Sequence, residues 1–171
     1  MKRKNRRVLL LITALAAIAV ASAVYVLIGQ NGQPALADRQ AEIAAKGQRV
    51  MPFDLERTTH RFTKSATGGL QTVTADDPAD AQQVKLIHEH LTKEAANFRQ
   101  GDFGDPASIH GGDMPGLRDL EQGHSRIDIR YAPTSTGAQI TYTTSDASLI
   151  KALHAWFDAQ VSDHGQHAER G

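Results

Sequence analysis

The fold is decided by residues 137–157, GAQITYTTSDASLIKALHAWF, which match residues 69–91, GLQTVTADDPADAQQVKLIHEHL, once a two-residue gap is allowed in the later stretch. Gly137 then corresponds to Gly69, and His154 corresponds to His88. Both stretches begin with alternating apolar residues, which are typical of a strand, and continue into apolar residues at helical spacing. The correspondence predicts an internal repeat in which a strand leads into a helix.

Another extended run precedes each copy of the repeat. Residues 58–64, TTHRFTK, and residues 126–131, RIDIRY, are separated from the following strands by the glycine-containing loops SATGG and PTSTG, which predicts two hairpins. We therefore expect an α+β domain of duplicated ββα units. Its four-stranded, mainly antiparallel sheet would be covered on one face by two helices.

The N-terminal residues combine a basic flank with an uncharged apolar run. Five of the first seven residues are Lys or Arg, and the 22 residues from 8 to 29 carry no charge. A helix of that length crosses about 30 Å of hydrocarbon, and the basic flank would remain in the cytoplasm. We expect a single-pass helix in the cytoplasmic membrane with an extracytoplasmic, periplasmic domain after it. The alternative is a signal peptide cleaved after Ala37.

These patterns give four segments. Residues 1–29 form the basic flank and the anchor or signal segment, residues 30–50 a linker with a short helix, residues 51–165 the α+β domain, and residues 166–171 a flexible tail. Beyond the basic flank the chain has 14 basic and 19 acidic side chains. Its net charge there is negative, so we expect no nucleic-acid partner.

Histidine is the residue type that suggests chemistry. The chain has eight histidines and no cysteine, so a metal would be held by imidazole, carboxylate or thioether groups. The candidate metal ligands are His60, His88, His90, His110, Met114 and His154. The repeat favours His88 with His154 as a pair, because a pseudo-twofold axis would bring them together. His154 also fits a structural role, since it lies on the apolar stripe of its helix.

Three groups could occupy such a cluster. Copper would use histidine with Met114, and zinc would use three histidines, or two with a carboxylate such as Asp113. Haem is the weaker alternative, because it needs a large apolar pocket. The irregular segment 99–124, which contains His110, is either a lid or a plain connector.

Four stretches resemble a family of small bacterial proteins that often carry the name aspartate carbamoyltransferase. They are MPFDLERTTHRF, GGLQTVTADD, GDFGDPASIHGGDMPGL and ALHAWFDAQVSDHG, within residues 51–167. The resemblance implies functional positions at His60, His90, His110 and His154. Carbamoyltransferases hold carbamoyl phosphate with a Ser-Thr-Arg-Thr stretch, and the nearest match here, residues 134–137, lacks the arginine. We therefore do not expect that activity.

The sequence thus favours a membrane-anchored extracytoplasmic binding protein that holds copper or zinc through a histidine cluster. The alternative is a metal-free accessory domain with an envelope protein as its partner, in which the histidines serve the core. A zinc-dependent or histidine-based hydrolase is a third alternative. No nucleophile motif accompanies the histidines, so a binding role is favoured over catalysis and the question of an enzyme stays open.

Overall fold

A computed structural model describes residues 35–171, which fold into a five-stranded mixed sheet and five helices. Helix α1 covers residues 35–50. The other helices are α2 (Ala81–Arg99), α3 (Gly104–His110), α4 (Leu117–Gly123) and α5 (Ala147–His164). The strands are β1 (Thr58–Ser65), β2 (Gly68–Ala75), β3 (Asp128–Thr134), β4 (Gly137–Thr143) and β5 (Ala168–Arg170).

The sheet has the strand order β3-β4-β2-β1-β5, and the predicted α+β class is confirmed. All neighbours are antiparallel except β5, which pairs parallel to β1. The sheet therefore has five strands where four were predicted. The additional strand lies in residues predicted as a flexible tail, because Ala168 pairs with His60 and Arg170 pairs with Phe62. This pairing covers part of the edge of β1, whose backbone groups would otherwise need water.

The two hairpins correspond to each other in register. A shift of 69 residues converts the β1–β2 pairs into the β3–β4 pairs, so that Ser65 becomes Thr134 and Gly68 becomes Gly137. The same shift places the centre of the β2–β4 pairing at Gln71, whose partner is Ile140. The repeat alignment from sequence matched Gly137 with Gly69, one residue away from this structural equivalence. The two hairpins therefore have the same register and are related by a local twofold axis near the Gln71–Ile140 pair.

Each hairpin needs a glycine where its second strand begins. A Cβ atom on Gly137 would lie 2.0 Å from the carbonyl oxygen of Val73, and one on Gly68 would lie 2.0 Å from that of Tyr142. Real Cβ atoms do not approach backbone oxygen so closely, so a larger residue would push β2 and β4 apart.

Each long helix packs on the hairpin of the other half. Helix α2 contacts β3 and β4 as well as β2, whereas α5 contacts β1, β2 and β5. Aspartates begin both helices: the Asp80 carboxylate accepts from the amide of Gln83, and Asp146 accepts from the amides of Ser148 and Leu149. The helices therefore hold the two halves together across the sheet.

The remaining segments complete the core. Residues 40–171 form one compact unit, and Ile43, in the predicted linker, is only 1% exposed within it. The irregular segment 99–124 contains the two short helices α3 and α4. Residues 40–50 are therefore part of the folded unit, because an apolar side chain of α1 is buried there.

The predicted anchor, residues 8–29, lies outside the described residues. Within residues 35–171, no helix is both long and apolar enough to cross a membrane.

We expect Gly137→Ala to lower the free energy of unfolding by about 1–3 kcal/mol, because the new methyl group would overlap the Val73 carbonyl. Urea unfolding measures the loss. Gly112→Ala is the matched control, since nothing lies within 4 Å of a Cβ atom there. Equal stability of the two variants would contradict the close approach.

Candidate functional site

A polar cavity lies between the sheet and the two long helices. Its volume is about 50 Å³, and its walls come from β1, β2, α2, α3, α5 and the segment before β1. The polar or titratable residues that line it are His60, Gln71, His90, Glu94, Asp105, His110, Gln160 and His164. A space of this size holds an ion with a few water molecules, and is far smaller than the pocket of a drug-sized ligand.

Three buried atoms in the cavity wall make no hydrogen bond within the described part of the chain. They are Nε2 of His60, Oε1 of Glu94 and Nε1 of Trp156. Buried polar groups are nearly always hydrogen-bonded, because an unpaired one costs about 1–3 kcal/mol. Three such atoms around one cavity indicate that a polar occupant completes the site.

One wall of the cavity combines an imidazole with two carboxylates. His90 and Glu94 are four residues apart on α2 and therefore share a face, and Asp105 approaches from the first turn of α3. One ligand atom from each of the three lies within 4.8 Å of the others. Asp105 also pairs with Lys93, at 3.2 Å between Nζ and Oδ2. We call His90, Glu94 and Asp105 the carboxylate group.

The carboxylate of Glu94 is held away from water and beside another acid. Burial raises its pKa from 4.5 to about 8, and the Asp105 charge and hydrogen bond add to this shift. Glu94 is therefore mostly protonated at neutral pH in the metal-free protein. A cation between the two carboxylates would favour the ionised form of Glu94 and so lower this pKa.

Three further imidazoles in the cavity wall form a row. The ring of His164 lies 5.1 Å from that of His60 and 4.9 Å from that of His110, measured between centroids. Nδ1 of His110 is 2.9 Å from Oδ2 of Asp163, and both side chains are buried. We call His60, His164 and His110 the imidazole row.

Burial keeps His60, His90 and His164 neutral. It lowers the pKa of His60 to about 3 and that of His90 to about 4, and it lowers the pKa of His164 well below 6.5. Neighbouring histidines, His110 among them, lower the pKa values of His60 and His164 further. Neutral imidazole is the form that binds metals, so these rings are ready as ligands near neutral pH.

His154 and His88 do not line the cavity. Each forms hydrogen bonds with the hairpin turn of the other half. Nε2 of His154 donates to the carbonyls of Ser65 and Gly68 at 3.1 and 2.9 Å. Nε2 of His88 makes the equivalent contacts with Thr134 and Gly137 at 3.2 and 2.6 Å. Because β2 and β4 are antiparallel, the two turns lie at opposite ends of that strand pair. The prediction that these two histidines meet in one site is therefore wrong.

The six predicted ligands separate into two sets. His60, His90 and His110 line the cavity, whereas His88, His154 and Met114 do not. Met114 is buried beside the loop before α4, in a different depression. Residues 134–137, the nearest match to a carbamoyl phosphate stretch, form the β3–β4 turn, and two of their carbonyls are occupied by His88.

Sequence reasoning missed three residues of the site. His164 is not among the ligands predicted from the sequence, but α5 extends to it and buries it. Glu94 and Asp105 are likewise absent from the ligands predicted from the sequence. The spacing of four between His90 and Glu94 was the available signal for a shared helix face.

Comparison of the chain with protein-family models, with curated proteins and with solved structures gives no match.

We expect His154→Ala to reduce the free energy of unfolding by about 1–3 kcal/mol, because two turn carbonyls would lose their donor. His88→Ala should cost a similar amount. Lys151→Ala, an exposed position on the same helix as His154, is the control. A loss no greater than that of the control would show that the imidazole does not hold the hairpin.

A second prediction concerns pH in metal-free buffer containing a chelator. Below pH 6.5 the unfolded chain protonates His60, His90 and His164 while the folded protein does not, so stability falls as the pH drops. Glu94 acts in the opposite direction: between about pH 4.5 and 8 the folded protein keeps a proton that the unfolded chain loses. Below pH 6.5 the three histidines outweigh Glu94, because the unfolded chain binds three protons that the folded protein lacks, whereas the folded protein keeps only one that the unfolded chain loses. Above pH 6.5 only the proton on Glu94 changes the stability. Stability should therefore be greatest near pH 6.5.

Urea midpoints between pH 4.5 and 8.5 measure this curve. Glu94→Gln should remove the decline above pH 6.5, because the amide does not titrate, while the decline on the acid side remains. A decline above pH 6.5 that persists in Glu94→Gln would assign it to another group.

Proposed function

We propose that this protein is a membrane-anchored, extracytoplasmic binding protein that holds a divalent transition metal, zinc before copper, in the carboxylate group. The observation that carries the proposal is the convergence of His90, Glu94 and Asp105 within 4.8 Å in the wall of a small, partly open cavity. Residues 8–29 would supply the anchor, as their length and lack of charge suggest.

The charges of the ligands favour a divalent cation. Two carboxylates carry two negative charges, which a divalent ion neutralises, and a buried ion needs such compensation. Without an ion, burial and the neighbouring Asp105 charge keep Glu94 protonated, as its pKa of about 8 indicates. Metal binding would therefore release that proton at neutral pH.

The ligand types favour zinc over copper. One imidazole and two carboxylates are common zinc ligands, whereas the soft thioether that would favour copper, Met114, lies outside the cavity. Of the two metals predicted from the sequence, zinc at the carboxylate group is therefore favoured over copper at a site with Met114. Haem does not fit a cavity of about 50 Å³.

The cavity also supports binding rather than turnover. Its volume of about 50 Å³ leaves room for the ion and a few water molecules beside it. A hydrolase acting on a larger substrate would need a wider opening. The alternative of a metal-free accessory domain makes a different prediction, since its cavity would take up no ion.

The test is the metal content of the full-length chain, purified in detergent without a histidine tag. After exposure to equimolar zinc and gel filtration, we expect about one zinc per chain by mass spectrometry. Glu94→Gln should weaken zinc binding by 10-fold or more, because it removes one charged ligand.

Glu89→Gln is the matched control, because Glu89 is an exposed residue on the same helix and pairs only at 3.8 Å with Lys85. It should bind zinc as the unaltered chain does. A folded chain that takes up no zinc, copper or other divalent ion would overturn the proposal and favour the metal-free domain. Equal zinc affinity in both variants would remove Glu94 from the site.

A further inference from the structure

The cavity wall contains a hydrogen-bond donor that a metal ion cannot satisfy. Trp156 of α5 is 1% exposed, and its Nε1–H makes no hydrogen bond within residues 35–171. An indole N–H only donates, and a cation does not accept a hydrogen bond. Its partner must carry a lone pair, as water or an anion does. Trp156 therefore indicates an occupant of the cavity in addition to a metal.

Gln71, in the middle of the sheet, provides a second donor. Its Oε1 accepts from the hydroxyl of Tyr142 at 2.8 Å, so the amide NH2 is the group that remains for the cavity. His60 of the imidazole row lines the same cavity with an unpaired Nε2, which donates or accepts according to its tautomer. Two donors and one adaptable group suit an occupant that is rich in acceptor atoms.

These donors lie beside the carboxylate group. The ring of Trp156 is 6.0 Å from that of Phe98, which follows Glu94 by about one turn on α2. The ring of Tyr142, the partner of Gln71, is also 6.0 Å from that of Trp156. Both donors and the carboxylate group line one cavity. A single small ligand can therefore contact a metal in the carboxylate group and the donors together.

A zinc ion in the carboxylate group has a position for one more ligand. Three side chains supply three ligand atoms, and zinc sites of this kind keep a fourth position for water or another small ligand. The two carboxylates neutralise the ion, and Lys93, 3.2 Å from Asp105, adds one positive charge. The site therefore compensates one negative charge on the fourth ligand, but not two. The cavity volume of about 50 Å³ limits this ligand to a few non-hydrogen atoms.

We propose that the carboxylate group binds its zinc ion together with a small carboxylate anion of the size of formate. One oxygen of the anion lies on the metal, and the anion accepts hydrogen bonds from Trp156 and Gln71. This inference rests on the proposed zinc site and names the ligand that completes it. The anion replaces a water molecule on the ion, and this water goes to solvent. No bond within the anion is formed or broken.

The test uses the full-length chain in detergent, without a tag, loaded with zinc and titrated with sodium formate at constant ionic strength. Trp156 is the only tryptophan, so its fluorescence reports on the indole in the cavity. The visible absorption of the cobalt(II)-loaded chain reports on the ligands of the metal. We expect formate to change both signals to saturation. Formate should bind the metal-free chain about 10-fold or more weakly, because the attraction of the cation is missing.

Trp156→Phe removes the indole donor and keeps an aromatic ring in the core. It should weaken formate binding by about 10- to 100-fold in the cobalt(II) assay, because a hydrogen bond to a charged group is lost, and leave zinc affinity unchanged. Gln71→Met should act in the same direction, and it keeps the test decisive if circular dichroism shows that Trp156→Phe does not fold. Phe157→Leu is the matched control, because its ring lies 5.7 Å from that of Trp156, has no polar atom and does not line the cavity. Its formate affinity should equal that of the unaltered chain.

The zinc content, measured by mass spectrometry, separates the two proposals. A chain that takes up zinc but shows no saturable response to formate in either assay would overturn the anion site and leave the zinc site standing. Undiminished formate affinity in the folded Trp156→Phe and Gln71→Met variants, equal affinity with and without the metal, or an equal loss in Phe157→Leu would overturn the anion site as well. A chain that takes up no zinc would overturn the zinc site, and the anion site with it.

Discussion

The pairing of β2 with β4 is the constraint on which the rest of the structure depends. It joins two hairpins into one sheet, and its centre at Gln71 and Ile140 relates them by a local twofold. Once the hairpins are joined in this way, each long helix packs on the hairpin of the other half. The polar cavity lies where these two helices and the middle of the sheet face one another, so its walls exist only while this pairing holds.

The pairing requires close backbone contact, and two kinds of residue allow it. Gly68 and Gly137 let the strands approach where any Cβ atom would clash. His88 and His154 then satisfy turn carbonyls at the two ends of the strand pair. A carbonyl only accepts, so each imidazole must hold its proton on Nε2. These four residues occupy equivalent places in the two halves, and their roles follow from the scaffold alone.

Sequence patterns predicted the regular part of the molecule well. Alternation gave the two hairpins, helical spacing gave α2 and α5, and the matching of His88 with His154 was correct as a repeat. The packing partners of α2 and α5 could not be predicted. Each helix packs on the hairpin of the other half, and that arrangement depends on contacts between residues distant in the chain. The same limit applies to Asp105 and Asp163, whose neighbours are residues distant in the chain. The short β5 carries no periodicity that could distinguish a strand from a tail.

The residues around the cavity are those in which the two halves differ. The shift that relates the hairpins places Ile129 where the first half has His60, and the alignment of His88 with His154 places Trp156, Gln160 and Phe98 opposite His90, Glu94 and His164. Each of these four cavity residues therefore corresponds to an apolar residue or an uncharged amide in the other half. Symmetric histidines hold the sheet, and asymmetric ones face the cavity. Burying unpaired imidazole and carboxylate groups costs stability, and the scaffold does not need them. The fold does not require this loss of stability, and an occupant of the cavity is the simplest explanation for it. The cavity residues that differ between the two halves, rather than the repeat, therefore support a binding function.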